Sequence, residues 1–165
     1  MKILFVFSVI TASSCLGFCC ERQYKNKVVF YRDLLLFCAC VKNEVSFFKS
    51  KLSVILKKVM VNCNKDLEYL CKIAQKSLKD GKFVLIEENC LLSLRFLTLN
   101  ERQTISNFFN FLGKSDEKNQ KNQIDSYEKI FLDYFEKSKQ DCSTKGNLCG
   151  KLGVYAGLFL AILCL

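Results

Sequence analysis

Histidine, proline and tryptophan are all missing from these 165 residues, and charge is missing from both ends of the chain. Without histidine, mechanisms that use an imidazole base and metal sites that use imidazole ligands are excluded. Without proline, where average usage would place roughly 8 in a chain this long, the commonest helix breaker is gone and long helices are easily sustained. Glycine is scarce as well, at 7 residues. Ile3 to Cys20 forms an 18-residue run with no charged side chain, and Leu152 to Leu165 forms a second run of 14. The chain is therefore either fastened to a bilayer at both ends or processed at both ends.

All 16 acids, and every base except Lys2, lie between those runs, and the net charge is +9. A basic protein of this size suggests nucleic acid or an anionic membrane. Here, however, bases and acids interleave, as in Lys114, Asp116, Glu117, Lys118 and Lys121. No nucleic-acid motif accompanies them, so a solvated face is the better reading and no nucleic-acid partner is expected.

Of 11 cysteines, Cys15, Cys19, Cys20 and Cys164 fall in the apolar runs, where a thiol behaves as a small hydrophobe. Seven remain between them, an odd number for a complete disulfide framework. Cys38 and Cys40 form a C-x-C, and no C-x-x-C occurs, so zinc-ligand spacing is absent. Cys38 and Cys71 sit on apolar helical faces, as buried structural thiols do. The expectation is no metal, no cofactor and no catalytic residue. A Ser or Cys hydrolase using lysine in place of histidine would lack a nucleophile elbow.

The first run reads equally as a signal peptide, with Lys2 ahead of it and Ala12-Ser13-Ser14 as small residues, or as a membrane helix. At 1.5 Å per residue it reaches about 27 Å of a roughly 30 Å hydrocarbon core. From Tyr31 a heptad pattern follows through Leu34, Cys38, Val41, Val45, Phe48, Leu52, Ile55 and Val59, with a bend expected near Ser50. This stripe predicts one long amphipathic helix. It could form an oligomerising coiled coil, making a homo-oligomer, or pack inside its own domain. The second is favoured because the remaining helices also need an apolar partner.

A helix is predicted over Lys65 to Leu78, burying Leu67, Leu70, Cys71, Ala74 and Leu78 and stopped by Gly81. Another is predicted over Val84 to Leu94. Asn100 is the N-cap candidate for a helix through Leu112 that carries Ile105, Phe108 and Phe109, with Gly113 as its C-cap. Ser115 is expected to cap the next helix, with Asp116 and Glu117 at its positive dipole end. That helix continues with Ile124, Tyr127, Ile130, Phe131 and Tyr134 to Lys139, and Gly146 and Gly150 are expected to loosen the join to the last run. The last run reaches about 21 Å by itself and about 27 Å from Leu148 if Lys151 snorkels. A cleaved lipid-anchor signal is the rival reading, but the polar spacer it needs is nearly missing.

If both ends span, Arg22, Lys25, Lys27 and Arg32 on one side and Lys137, Lys139, Lys145 and Lys151 on the other make the middle cytoplasmic and turn both termini outward. The expected architecture is all-α: an antiparallel helical bundle over residues 22–147, flanked by transmembrane helices over 1–21 and 148–165.

The run Phe111-Leu112-Gly113-Lys114-Ser115-Asp116, followed by Gln120 and Ile124, resembles the L-G-x-S-D-x-x-x-Q signature of the stage III sporulation protein AB family. Met1-Lys2-Ile3-Leu4 with Leu16-Gly17-Phe18 resembles that family's first membrane helix. Leu152-Gly153-Val154-Tyr155-Ala156-Gly157-Leu158-Phe159-Leu160 is similar to its last, in both glycine positions. The chain departs from the pattern in lacking the proline usual after the first long helix, and in its cysteine load. The resemblance implies a protein of the inner, mother-cell membrane around the forespore, with a helical domain similar to the F-type platform proteins of type II secretion. Its implied partners are a secretion-type ATPase, stage III sporulation protein AA, and the other membrane proteins of the channel. Leu112, Gly113, Ser115, Asp116, Gln120 and Ile124 are the implied motif residues. Caps explain Gly113, Ser115 and Asp116, whereas Gln120 is the candidate for a partner contact. The competing function is a secreted or surface-anchored helical effector with paired cysteines.

Overall fold

The computed structural model describes residues 2–44, 52–79, 86, 88–112 and 117–164. Every regular element among them is helical: α1 (Lys2–Asn43), α2 (Leu52–Met60), α3 (Lys65–Lys79), α4 (Glu88–Leu91), α5 (Leu99–Phe111), α6 (Glu117–Asp141), a π-helical turn (Cys142–Gly146) and α7 (Asn147–Cys164). The all-α expectation holds. Among the described residues no helix is long and apolar enough to cross a membrane. Of the segments 1–21 and 148–165, the structure shows helix over the described part of each.

The chain divides into two compact units, a terminal one of Met1–Val28 with Glu136–Leu165 and a central one of Val29–Phe135. In the central unit, α1 buries Phe30, Tyr31, Leu34, Phe37, Cys38 and Val41. This stripe is wider than the expected heptad seam, since Phe30 and Phe37 join it, and it follows the 3.6-residue period of a helix packed in its own domain. Of the helix expected from Tyr31 to Val59, the described residues fall on α1, up to Asn43, and on α2, from Leu52. Val45, Phe48 and Ser50 lie outside the described residues.

The third helix begins at Lys65 as expected, buries Leu67, Leu70, Cys71 and Ala74, and partly buries Leu78. Its start is pinned by side chains. Asn64 Oδ1 accepts the Leu67 N–H at 2.8 Å, and the buried Asp33 carboxylate accepts the Asn64 N–H at 2.8 Å. The stop expected at Gly81 lies outside the described residues.

Of the helix expected over Val84 to Leu94, the described residues show α4, which ends at Leu91, with Ile86 outside it. Beyond it the Leu94 N–H donates to Leu91 and the Leu97 N–H to Leu94, at 3.1 and 3.0 Å. Such three-residue bonds put every third side chain on one line, and Leu91, Leu94 and Leu97 are all buried. Thr98, not Asn100, caps α5. The Thr98 hydroxyl accepts the Glu101 N–H, while the Glu101 carboxylate accepts the Thr98 N–H at 2.7 Å. This reciprocal pair starts the helix two residues before the expected point.

The core is aromatic where α1, α5 and α6 meet. Phe37 stacks on Phe109 at 5.4 Å, and the Phe108 ring lies 5.3 Å from Tyr127 and 5.2 Å from Phe131. Burying side chains of this size stabilises by about 1.5–3 kcal/mol each. Ile130, expected on the buried face, is 40% exposed. The inward line of α6 runs instead through Ile124 and Phe131, and Ile130 is turned about 100° from Phe131.

Candidate functional site

The signature residues divide by burial. Leu112 ends α5, donating its N–H to the Phe108 and Phe109 carbonyls, and its side chain is buried. Ile124 is wholly buried in the same core. Gly113, Ser115 and Asp116 lie outside the described residues. Gln120 is half-buried on α6, one turn before Ile124. Of the described signature residues it alone is not buried. A polar cluster follows it on α6, where Lys42 of α1 pairs with Asp125 and, at 3.4 Å, with Glu128.

Two side chains of α5 grip a backbone segment that sequence reasoning did not connect to it. The Asn110 amide oxygen accepts the Ile86 N–H at 2.7 Å, and its nitrogen donates to the Ile86 carbonyl at 3.4 Å. The Ser106 hydroxyl donates to that carbonyl at 2.6 Å. A side chain therefore supplies both bonds that a neighbouring strand would supply. Ser106 and Asn110 stand four apart on one helical face, which is the only signal the sequence offers.

Burial pushes the Cys71 thiol up to about 12, with the nearby Cys63 and Glu68 acting in the same direction. Cys38 is pushed up further by burial and by Glu128. Both thiols stay protonated at neutral pH and are poor nucleophiles. Burial, and then the Glu101 carboxylate, push the Tyr31 phenol far above its ordinary value. Among the described residues no group of three cysteine, aspartate or glutamate side chains could hold a metal ion.

The terminal unit holds two helices in close backbone contact. A Cβ placed on Gly153 would meet the Gly17 Cα at 2.7 Å, and one placed on Gly17 would meet the Cys149 carbonyl oxygen at 2.9 Å. Only glycine allows two helix backbones this near. Ser13 donates its hydroxyl to the Gly153 carbonyl at 2.7 Å. Gly157 lies against Ile10, Gly150 against Glu21 and Gly146 against Tyr24, so numbers rise on one helix as they fall on the other. The pair is antiparallel. Gly146 and Gly150 do not loosen a join: α6, the π turn and α7 run on without a break, and both glycines serve as contact points.

Large apolar side chains face outward from this pair. Leu16 is 72% exposed and Ile162 74%, and Phe18, Leu152, Tyr155 and Phe159 are also exposed. A groove of about 340 Å³ lies between the two helices. Phe18, Val154 and Tyr155 line its apolar part, and Glu21, Asn147 and Lys151 its polar part, with Gly150 between them. Glu21 is paired with Lys25 at 2.5 Å. The motif reading missed this groove because its residues come from opposite ends of the chain.

The model of the stage III sporulation protein AB family matches residues 2–165. No curated protein and no solved structure matches the chain.

Proposed function

Because the chain belongs to the stage III sporulation protein AB family, we propose that it is a membrane platform of the channel joining mother cell to forespore. In this role it docks a secretion-type ATPase, stage III sporulation protein AA, onto the membrane complex and performs no chemistry of its own. The observation that carries the membrane part is the polarity of the terminal unit. Its small residues lie between α1 and α7, while Leu16, Phe18, Leu152, Tyr155, Phe159 and Ile162 point outward. In water such an arrangement is inside out. In a bilayer, where acyl chains solvate large apolar groups and backbones gain by close approach, it is the favoured one.

In this reading residues 1–21 and 148–165 are the two spans, and the bases after the first and before the second keep the central unit on the cytoplasmic side. A helical unit with an aromatic core, whose buried Cys38 and Cys71 thiols stay protonated, suits a part that transmits force or holds a partner. Gln120 is the proposed ATPase contact. Self-association would need a surface other than the Tyr31 to Val41 stripe, which is buried. The secreted, cysteine-paired reading lacks comparable support, since the ten described free cysteines include Cys38 and Cys71 buried in the core.

Protease protection in oriented vesicles, with tags at both ends and carbonate extraction, tests the membrane part. Protected tags and a central unit cut only from the cytoplasmic side are expected. Loss of the N-terminal tag by processing, or a central unit cut only from the other side, would end the reading. Gln120→Ala is expected to lower co-purification of the ATPase at unchanged thermal stability. Full recovery of the partner would remove Gln120 from the interface.

A further inference from the structure

The groove of the terminal unit changes character along its length. At one end stand the exposed Lys151 ammonium and the Asn147 amide, and at the other Phe18, Val154 and Tyr155. Gly150 leaves room beside it for the Glu21 carboxylate, which a Cβ there would meet. On α7, Lys151, Tyr155, Phe159 and Ile162 follow at steps of four, four and three, so they share one face, and all four are exposed. That face runs from cation through phenol to hydrocarbon. On α1 the order along the antiparallel helix matches: Arg22 is exposed at the charged level, with Phe18 and Leu16 toward the apolar end.

We propose that this groove seats the headgroup of an anionic phospholipid, with the acyl chains laid along the Tyr155, Phe159 and Ile162 face. The proposal rests on the membrane reading above. Charge selects the lipid class. Glu21 has its charge offset by Lys25 at 2.5 Å, so Lys151 leaves the groove net cationic. A phosphodiester with no cation of its own complements it, and a zwitterionic headgroup brings a cation that competes with Lys151. The tyrosine hydroxyl lies where an interfacial phenol ordinarily sits, between headgroup and hydrocarbon. A peptide is disfavoured because the groove continues into a face that the same reading immerses in acyl chains.

The test uses the full-length protein in mixed micelles containing equimolar phosphatidylglycerol and phosphatidylcholine, with retained lipid read by native mass spectrometry. The expected result is preferential retention of phosphatidylglycerol. Lys151→Gln should reduce that preference about five-fold, the effect of one basic group near an anionic surface, while Lys121→Gln leaves it intact. Phe18→Ala should lower retention of both lipids alike. Equal retention of the two lipids, or an unchanged preference in Lys151→Gln, overturns the groove assignment while carbonate-resistant insertion still upholds the spans. Release of the wild-type protein by carbonate overturns both together.

Discussion

The Ser13 hydroxyl donates to the Gly153 carbonyl at 2.7 Å, joining residues 140 positions apart in the chain. The bond forms because Gly17, one turn along α1 from Ser13, lets the backbone of α7 approach to contact distance. Close packing and a hydroxyl bond between helices are the two interactions that work where no water is displaced.

Substitution at this contact should be felt according to what the new Cβ meets. In Gly153→Ala it would strike the Gly17 backbone at 2.7 Å, which cannot yield without separating the helices. A loss of about 1–3 kcal/mol is expected. In Gly146→Ala the neighbour is the Tyr24 Cβ at 3.2 Å, which must give by only a few tenths of an ångström, and alanine favours the helix, so the loss should be clearly smaller. Denaturation of the full-length protein in micelles compares them. Equal midpoints for both variants would mean that α1 and α7 are not packed this closely.

Asn110→Ala should destabilise the central unit by about 1–3 kcal/mol, because the buried Ile86 N–H loses its acceptor. Ser106→Ala should do less, since the Ile86 carbonyl keeps the Asn110 bond. Urea midpoints measure the stability, and amide exchange at Ile86 reports the clamp directly. Unaltered exchange at Ile86 in Asn110→Ala would show that this bond is not what holds the segment.

Thr98→Ala should weaken the central unit by about 1 kcal/mol through loss of the α5 cap, and Thr98→Ser should restore most of it. Asn100→Ala should be neutral, because Asn100 lies inside α5 and only its main-chain carbonyl is engaged, by Thr104. A larger effect at Asn100 than at Thr98 would return the cap to the position that the sequence suggests.

Cys71 should resist iodoacetamide at pH 8 in the folded protein and react once it is unfolded. Its thiol is neutral when folded up to about pH 12, whereas the unfolded thiol ionises near its ordinary 9.0. Ionisation above pH 9 therefore favours the unfolded chain. Stability should be level below that pH and fall by about 1.4 kcal/mol per pH unit per thiol as pH rises toward 12. Cys71→Ser removes the titrating group and should flatten that slope; an identical alkaline profile in the variant would refute the assignment.

Periodicity carried much of the central unit. Leu67, Leu70, Cys71 and Ala74 were legible as one face because a three-and-four spacing has one geometric meaning on a helix. Signals that compete were not legible. Thr98 with Glu101 outweighed Asn100 because two reciprocal bonds satisfy more helix-end donors than one side chain can. The core face of α6 passed Ile130 by, since hydropathy does not say which of two adjacent apolar residues, Ile130 or Phe131, turns inward. Of the signature, Leu112 and Ile124 are explained by packing, and Gln120 is left as the candidate contact.

The sequence by itself determined the helical class, the two uncharged ends, the lack of imidazole chemistry and the family, because these depend on composition, local spacing and short motifs. Only the tertiary structure decided that Gly17 meets Gly153, that Asn110 holds Ile86 and that Lys151 shares a groove with Phe18. Each of these joins residues distant in the chain. Local propensity does not encode such contacts; they arise when helices choose neighbours so as to exclude voids and satisfy buried polar groups.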